Sequence, residues 1–247
     1  MPIIKSVSFD AQQGDFISIV GPSGCGKTTL LMCLTGLLNV DGGELRFADQ
    51  KVTEPPPGVS VVFQDYSRSL LPWKSCFDNV LFGMRRITDM SMREKQDWAR
   101  ELIKSVGLEG FESNYPWQMS GGMQQRVAIA RGLAARSRLL LLDEPLAAVD
   151  AQTRAEMQDL LLELAQKYKQ TCILVTHDVD EAVYMATRII VLSKRPTTVV
   201  EDFDVVLPPV RDQLTTREHP DFLALRHKVI TLIRNTGAPA PGPEPLH

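Results

Sequence analysis

Long apolar runs are missing from this 247-residue sequence, and so is any excess of basic charge. No apolar stretch approaches the roughly 18 residues that a membrane-spanning helix needs. The N-terminal residues also lack the long apolar segment of a signal peptide, so we expect a cytoplasmic location. The formal net charge of −3 differs from the basic footprint of nucleic-acid-binding proteins, which argues against a DNA or RNA motor.

Cysteine is scarce as well, and no two cysteines stand in Cys-x-x-Cys spacing. The four thiols are Cys25, Cys33, Cys76 and Cys172, scattered along the chain. This distribution argues against both a disulfide framework and a zinc site in a protein of this size. The sequence instead predicts small thiols that are buried or half-buried.

Short apolar runs rich in β-branched residues recur between segments with helical periodicity. These runs cover residues 16–20, 59–63, 139–142, 172–176 and 188–192. The alternation predicts an α/β fold with a mainly parallel, buried sheet.

The stretch from 65 to 137 breaks this alternation, because it shows helical patterns and no convincing strand. One helix is predicted to open on Ser91 and Glu94, which have capping-box spacing. Its predicted core face consists of Met92, Trp98, Leu102, Ile103 and Val106. We therefore expect a helical subdomain inserted into the α/β core.

The chain beyond residue 194 reads as a strand or extended arm broken by prolines, then as an amphipathic helix starting near Pro220. The Pro/Gly-rich end is expected to be disordered. The sequence thus predicts five parts: an N-terminal core segment (1–64), a helical subdomain (65–137), a C-terminal core segment (138–193), an extension (194–235) and a tail (236–247).

The octet GPSGCGKT, residues 21–28, matches the pattern G-x-x-x-x-G-K-[ST] between a predicted strand and a predicted helix. Glycines allow backbone N–H groups to converge on phosphate oxygens at a helix N-terminus. Lys27 is placed to reach the β- and γ-phosphates, and the hydroxyl of Thr28 to ligate Mg²⁺. The octet therefore predicts a nucleotide phosphate site.

Two adjacent carboxylates end the buried strand LLLLDEP. Asp143 is placed to hold Mg²⁺ through its water shell, and Glu144 to polarise an attacking water as general base. The alternative is that one residue caps a helix and the other is a solvated surface charge.

Ser120, Gly121 and Gly122 precede a helical run with apolar residues at Val127 and Ile129. A Ser-Gly-Gly turn that opens a helix is a second anion site. One ATP cannot readily use both turns of the same chain, so we expect the second turn to serve a neighbour's nucleotide across a dimer interface. The alternative is an ordinary N-capped helix.

Together these motifs resemble those of the ATP-binding cassette (ABC) ATPases. The resemblance rests on the Walker A loop GPSGCGKT, the signature MSGGM, the Walker B strand LLLLDEP and the D-loop AAVD. Gln64 and His177 stand where that family has its Q-loop glutamine and switch histidine. The resemblance implies a P-loop NTPase core with a mainly parallel sheet, an inserted helical subdomain, and hydrolysis of ATP with Mg²⁺.

The resemblance also implies a role for each matching residue. Glu144 would be the base, His177 the γ-phosphate sensor, Gln64 a contact to Mg²⁺ and the lytic water, and Asp150 a link between two active sites. Ser120, Gly121 and Gly122 would close on the opposite subunit's ATP. The residues that would bind ATP are Gly21, Pro22, Ser23, Gly24, Cys25, Gly26, Lys27, Thr28 and Thr29, and those at Mg²⁺ are Thr28, Gln64 and Asp143.

Family members carry an aromatic side chain that stacks on adenine ahead of the stretch resembling residues 3–16. Met1 lies only a few residues upstream here, and Phe9 is a poor substitute. We therefore expect weak base selectivity, with ATP and GTP bound similarly.

The absence of a spanning segment implies separate permease chains, with this chain on the inner face of the membrane. Leu71, Pro72 and Trp73 are candidates for the permease contact, the alternative being that Trp73 packs beneath the helical subdomain. The LLPW segment and the C-terminal extension resemble the nitrate/sulfonate/taurine importers. That group implies a separate solute-binding protein, a partner cassette that is an identical copy or a paralogue, and no nucleic acid.

Two other functions stay open at the sequence level. A soluble, non-transport ABC ATPase would typically carry a coiled-coil insertion, a second cassette or a basic stripe, and this sequence has none of them. A low-turnover regulatory subunit would have no need to retain Glu144 and His177. We therefore favour the motor subunit of an importer.

Overall fold

The computed structural model of the chain describes residues 2–65 and 69–236. Residues 66–68 and the predicted tail beyond residue 236 lie outside the described residues. The described residues divide into two compact units: the first comprises residues 2–10, 17–27 and 176–236, and the second comprises residues 11–16, 28–65 and 69–175. Among the described residues, no helix is both long and apolar enough to cross a membrane. The five-part division predicted from the sequence stays a prediction.

Strands and helices alternate along most of the chain. The strands are β1 (Ile4–Ser6), β2 (Phe16–Val20), β3 (Arg46–Phe47), β4 (Gln50–Lys51), β5 (Val59–Val62), β6 (Leu139–Asp143), β7 (Thr171–Val175), β8 (Arg188–Leu192) and β9 (Thr197–Asp204). The helices are α1 (Lys27–Leu34), α2 (Cys76–Gly83), α3 (Met92–Ser105), α4 (Gly121–Ala134), α5 (Ala151–Lys167), α6 (Val179–Met185), α7 (Thr215–Glu218) and α8 (Pro220–Asn235).

The first unit is built on β2 and β8, which run parallel with Ile17 opposite Arg188 and Val20 opposite Val191. β9 pairs antiparallel with β8 and parallel with β1. Nearly every residue of β2 and β8 is buried, as expected for strands covered on both faces. Helix α8 packs on α6 and on β8.

The second unit holds a parallel set in the order β7-β6-β5. Val62 lies opposite Leu142, and Asp143 lies opposite Val175, so the carboxyl ends of these strands share one edge. The predicted α/β fold with a mainly parallel sheet is confirmed, and the five predicted strands match the observed ones to within one residue. Strand β1 and the short hairpin β3–β4 were not predicted.

The middle of the second unit is helical, with α2, α3, a 3₁₀ turn at Pro116–Gln118 and α4; no strand occurs in its described residues, 65 and 69–137. Helices α2 and α4 approach closely at Gly83. A Cβ atom built on Gly83 would lie 2.4 Å from the carbonyl oxygen of Arg131, so this contact requires glycine.

Helix α3 opens with the predicted capping box. The Glu94 N–H donates to Ser91 Oγ at 3.3 Å, and the Ser91 N–H donates to Glu94 Oε2 at 2.7 Å. The Ser91 hydroxyl, which also donates to Glu94 Oε2 at 2.7 Å, and then the Ser91 N–H lower the pKa of the Glu94 carboxyl. Leu102 and Ile103 are fully buried as predicted, but Met92 is 62% exposed, which corrects its assignment to the core. Met92 is the first residue of the helix, where no neighbouring element covers it.

Two further expectations are confirmed. The closing helix α8 begins at Pro220, and the predicted arm contains the eight-residue strand β9. All four cysteines are free thiols: Cys25, Cys76 and Cys172 are buried, and Cys33 is half-buried. Burial raises the pKa of the Cys76 and Cys172 thiols to about 12, so these side chains stay protonated at neutral pH.

Candidate functional site

The predicted phosphate loop, residues 21–28, follows β2, and its last two residues, Lys27 and Thr28, begin α1. Gly24 and Gly26 have φ angles of +73° and +109°, a region that side chains rarely allow. A Cβ on Gly26 would also lie 2.7 Å from Cγ2 of Ile3. The two glycines therefore shape a loop at a helix N-terminus, where backbone N–H groups can converge on an anion. Around them, Gly21 and Cys25 are buried, Pro22 and Thr29 half-buried, and Ser23 and Thr28 exposed.

Lys27 is the charged residue of this loop, and its side chain is turned inward. Lys27 is only 6% exposed, and its ammonium donates to the carbonyl oxygens of Gly21 at 3.0 Å and Pro22 at 3.3 Å. The two carbonyl oxygens accept hydrogen bonds from the ammonium and hold it inside the loop. The loop is thus electrostatically suited to an anionic group.

Gln64 and Asp143 lie at one edge of the parallel strands of the second unit. Gln64 is exposed, two residues beyond the end of β5, and Asp143 is the last residue of β6 and 6% exposed. Because β5 and β6 are parallel and in register, both side chains follow the carboxyl ends of neighbouring strands. Ligand sites of open α/β sheets lie at such edges.

Glu144 occupies an unusual backbone conformation directly after β6. Its φ angle is +44°, in the left-handed region, which costs a non-glycine residue about 1–2 kcal/mol. Its N–H donates to the carbonyl oxygen of Val175 at 2.8 Å. On the other side, the carbonyl of Pro145 accepts a hydrogen bond from the side-chain amide of Gln125 in α4. The backbone is therefore held at Glu144 itself and at the carbonyl of the residue after it.

The Ser-Gly-Gly turn opens α4 as predicted. Ser120 is the N-cap residue, and its Oγ accepts from the Met123 N–H at 3.3 Å. Ser120 and Gly121 are exposed. A Cβ on Gly122 would lie 3.1 Å from Cγ2 of Thr153, so the turn lies against the start of α5. The N-terminus of this 14-residue helix is consequently open to solvent beside the D-loop.

Asp150 caps α5 and thereby orders the D-loop. Its carboxylate accepts from the Thr153 N–H at 3.0 Å and from Thr153 Oγ1 at 2.7 Å. These hydrogen bonds lower the pKa of the Asp150 carboxyl. Arg154 donates to the carbonyl oxygens of Leu146 at 3.3 Å and Val149 at 3.1 Å. Because Thr153 binds Asp150 and leaves little room for a side chain at Gly122, the structure brings the D-loop and the signature turn together.

His177 is exposed in a short turn between β7 and α6. Thr176, only 2% exposed, anchors this turn by donating its N–H to the Ile19 carbonyl of β2 at 3.3 Å. The Thr176 hydroxyl donates to the buried carboxylate of Glu181 and accepts from the Asp178 N–H at 3.0 Å. The backbone on both sides of His177 is therefore held, while its ring faces solvent.

Trp73 is 71% exposed and thus does not pack beneath the helical subdomain. Its loop is held by the fully buried Asn79. The Asn79 Oδ1 accepts from the Leu71 N–H at 2.9 Å, and its Nδ2 donates to the carbonyl oxygens of Leu71 at 3.1 Å and Lys74 at 3.0 Å. Pro72 is exposed beside the tryptophan, and Leu71 is half-buried. The predicted exposure of this apolar loop is confirmed.

A groove of about 710 Å³ flanks Gln64 within the second unit. The guanidinium carbon of Arg85 lies 4.5 Å from the centre of the Phe82 ring. Arg131, also in the lining, donates to the carbonyl oxygen of Ser69 at 2.6 Å. Other lining residues are Phe63, Asp65 and Arg86. The groove thus combines aromatic walls with a basic rim.

Gln125 is a buried polar residue near the candidate site that the sequence motifs did not identify. It is fully buried, and it lies on the same stripe of α4 as Ile129 and Leu133, at a spacing of four residues. A polar side chain on a core-facing stripe is the pattern that could have identified it. Its contact to Pro145 links the signature helix to the loop after the Walker B strand.

The sequence of the chain is similar to a known protein family and to individual members of it. The protein-family model described as ABC transporter matches residues 4–147. An uncharacterized ABC transporter ATP-binding protein of Methanocaldococcus jannaschii is 42% identical over 232 residues, which cover 94% of this chain and 84% of that protein. The taurine import ATP-binding protein TauB of Escherichia coli K12 is 39% identical over 236 residues, 94% of this chain and 91% of that protein.

A third relative is longer than this chain. The nitrate import ATP-binding protein NrtC of Synechococcus elongatus is 41% identical over 233 residues, which cover 94% of this chain but 35% of that protein. Among solved structures, a dimeric ATP-binding cassette in a post-hydrolysis state, bound to ADP and Pi, matches with a TM-score of 0.70 and 33% identity. This structural match covers 83% of the present chain and 91% of the chain of the solved cassette.

Proposed function

The chain belongs to the ABC transporter family, and from that premise we propose that it is the ATP-hydrolysing motor of an importer for a small nitrate-, sulfonate- or taurine-like solute. The observation that carries the proposal is the signature turn lying open against the D-loop, with Gly122 beside Thr153. A second anion-binding helix N-terminus, separate from the phosphate loop, suits the nucleotide of a neighbouring cassette. The named taurine and nitrate import relatives support the choice of solute class.

ATP fits the phosphate loop of this chain. The positive φ angles of Gly24 and Gly26 make a backbone cradle that side chains would fill, and Lys27 supplies a buried positive charge. We assign the phosphate contacts to the loop residues 21–26 and to Lys27, Thr28 and Thr29.

Hydrolysis breaks the bond between the γ-phosphorus and the β–γ bridging oxygen as water attacks, giving ADP and phosphate. Glu144 accepts the proton of that water as general base, and its fixed backbone gives the carboxylate a defined direction. Gln64 orients the same water. His177 stabilises the charge on the γ-phosphate from a turn that Thr176 anchors to β2. Catalysis here is mainly positioning and electrostatic stabilisation.

The donor set also suits Mg²⁺. The Thr28 hydroxyl, the Gln64 amide oxygen and the Asp143 carboxylate are hard oxygen ligands, which this ion prefers. Within residues 2–65 and 69–236, no cluster of three or more His, Cys, Asp or Glu side chains could hold a metal by itself. Such a sparse set is typical of Mg²⁺ sites that are completed by nucleotide phosphates, where the ion neutralises charge on the β- and γ-oxygens.

Two cassettes would close on two ATP molecules. Ser120, Gly121 and Gly122 of one chain bind the γ-phosphate held by the phosphate loop of the other, and Asp150 links the two sites. The solved relative bound to ADP and Pi is a dimer, which supports this arrangement. The partner cassette is a second copy of this chain or a paralogue.

The permease contact is assigned to the groove flanking Gln64 and to the exposed loop around Trp73. Both offer large apolar groups, and the groove adds the guanidinium groups of Arg85 and Arg131. With this contact the chain would lie on the inner face of the membrane, and a separate solute-binding protein would deliver the solute. Replacing Trp73 by Ala should leave the ATPase rate of the isolated chain within twofold and weaken its stimulation by the permease. Unchanged stimulation would remove Trp73 from the contact.

Steady-state ATP hydrolysis tests the proposed activity. The purified chain should release phosphate in the presence of ATP and Mg²⁺, and Glu144→Gln should abolish turnover without changing the unfolding temperature. Thr153→Ser is a suitable control, because it retains the hydroxyl that donates to Asp150 and should keep near-normal turnover. Unchanged turnover in Glu144→Gln would contradict the assignment of the base.

A further inference from the structure

Gln125 is a buried amide in the second turn of the signature helix. It is 0% exposed, and its Nε2 donates to the carbonyl oxygen of Pro145. Helix α4 starts at Gly121, so Gln125 lies only about 6 Å along the axis from the start of the helix, at 1.5 Å per residue. One rigid turn of helix therefore separates the open anion-binding end of α4 from this hydrogen bond.

The peptide that Gln125 holds is the Pro145–Leu146 peptide, the second one after Glu144. Glu144 has a φ of +44°, and its own N–H is bound to the Val175 carbonyl at 2.8 Å. The ring of Pro145 restricts the next φ angle. The hydrogen bond from Gln125 fixes the direction of the Pro145 carbonyl, so the backbone is held directly before Glu144 and again one residue after it.

Packing alone does not account for an amide at this position. Within the part of the chain that the structure describes, Gln125 Oε1 is buried and has no hydrogen-bond partner. A half-satisfied buried amide costs stability, and an apolar side chain of similar volume would fill the same space without that cost. The contact to Pro145 is thus the feature that an apolar residue could not supply.

We propose that Gln125 is a positioning residue for Glu144. Through Gln125, binding of the second nucleotide at the signature turn, at the start of α4, is coupled to the alignment of the Glu144 carboxylate. The proposal rests on the proposed function, since it takes Glu144 as the base and Ser120–Gly122 as the contact to the second nucleotide. Loss of the amide donor lets the Pro145 peptide and Glu144 relax. ATP binding and closure of the two cassettes remain, while the chemical step slows.

Replacing Gln125 by Met tests this role, because Met has a similar length and lacks the donor. The kcat for ATP hydrolysis should fall about tenfold, the factor that one buried hydrogen bond typically represents, while KM stays within twofold. In a Glu144→Gln background, Gln125→Met should still form the ATP-dependent dimer. A kcat within twofold of wild type, or a loss carried entirely by KM, would overturn the proposal.

Gln170 provides the matched control. It is also a buried glutamine of the second unit, and its Nε2 donates to the carbonyl oxygen of Ser137 at 3.1 Å. This contact lies just ahead of the amino ends of β6 and β7, whereas Glu144 follows the carboxyl end of β6. Gln170→Met should lower the unfolding temperature at least as much as Gln125→Met does, with kcat unchanged. Equal losses of kcat in both variants would mean that general destabilisation, not positioning, explains the result.

A second variant keeps the role testable if Gln125→Met does not fold. Gln125→Glu preserves the shape of the side chain, and its carboxyl group can donate to the Pro145 carbonyl only when protonated. Burial raises the pKa of such a carboxyl, so kcat relative to wild type should rise several-fold from pH 9 to pH 6. A ratio close to one at every pH contradicts the role, because a side chain without a positioning function gives the same result. A ratio that is low and independent of pH contradicts it.

Measuring Glu144→Gln in parallel shows whether a negative result contradicts the role of Gln125 or the proposed function itself. If Glu144→Gln turns over normally, the assignment of the base has failed. If Glu144→Gln is inactive and Gln125→Met retains wild-type kcat, only the positioning role of Gln125 has failed.

Discussion

Replacing Thr176 by Val should destabilise the turn that carries His177. The two side chains have nearly the same shape, so the change removes the hydroxyl and little else. That hydroxyl donates to the carboxylate of Glu181, which is 3% exposed, and accepts from the Asp178 N–H at 3.0 Å. The first bond reaches Glu181 in α6, and the second lies in the turn between β7 and α6.

The expected cost can be worked out from these two bonds. A hydrogen bond to a charged group contributes about 1.5–3 kcal/mol, and a neutral one about 0.5–1.5 kcal/mol. Allowing about 0.8 kcal/mol for the extra buried methyl group, the free energy of unfolding should fall by roughly 2–3 kcal/mol. For a chain of this size that corresponds to a decrease in the unfolding temperature of about 5–10 °C.

Thermal unfolding followed by circular dichroism measures this cost, and Thr176→Ser is the control because it keeps the hydroxyl. The Ser variant should lose about 1 kcal/mol or less and retain kcat within threefold. The Val variant should show the larger loss of stability and a clearly lower kcat, since His177 then sits in a looser turn. Equal unfolding temperatures for the two variants would refute the reasoning.

Two further predictions concern helix packing and acid stability. Gly83→Ala places a Cβ 2.4 Å from the Arg131 carbonyl, so overpacking between α2 and α4 should outweigh the gain in helix propensity and destabilise by about 1–3 kcal/mol. In Gly42→Ala, where a Cβ meets nothing within 4 Å, the urea midpoint should not fall. The folded-state pKa of Asp150 is lowered, so its contribution to stability is present above the unfolded-state pKa of about 3.9 and is lost as pH falls through the lower folded value. Asp150→Asn should therefore show a smaller drop in urea midpoint between pH 7 and pH 3 than the wild type, and an equal drop would contradict this role.

Strands that are buried on both faces could be predicted, because they appear in the sequence as short runs of apolar, often β-branched, residues. Strand β2 is five consecutive buried residues, and its predicted bounds are those observed. The parallel pairing followed from the helical segments that separate such runs.

The short strands could not be predicted for physical reasons. Strand β1 has three residues with little burial, and its pairing partner is β9, nearly two hundred residues away. Hairpin β3–β4 turns through Ala48 and Asp49, both with positive φ, in place of the Asn-Gly or Asp-Gly that normally signals a two-residue turn. Met92 was assigned to the core because it fits the helical periodicity. Periodicity shows which face of a helix is apolar, but it does not show how far along the helix that face is covered by other elements.

Some features of the candidate site could also be predicted from the sequence, and others could not. Motif spacing predicted the phosphate loop, the carboxylates and the signature turn, because each needs particular residues at adjacent positions. The contact of Gly122 with Thr153, the left-handed backbone of Glu144 and the bond from Gln125 to Pro145 arise from tertiary packing. No local pattern encodes them.

The mass of the Glu144→Gln chain with and without ATP tests the central claim most directly. Light scattering should give the 27.5 kDa monomer without nucleotide and twice that mass, about 55 kDa, with saturating ATP and Mg²⁺, since two signature turns would then close on two phosphate loops. Ser120→Arg should prevent the increase, because the bulky side chain blocks the exposed turn. A monomer under both conditions at micromolar protein and saturating ATP would contradict the nucleotide-dependent pairing on which the account rests.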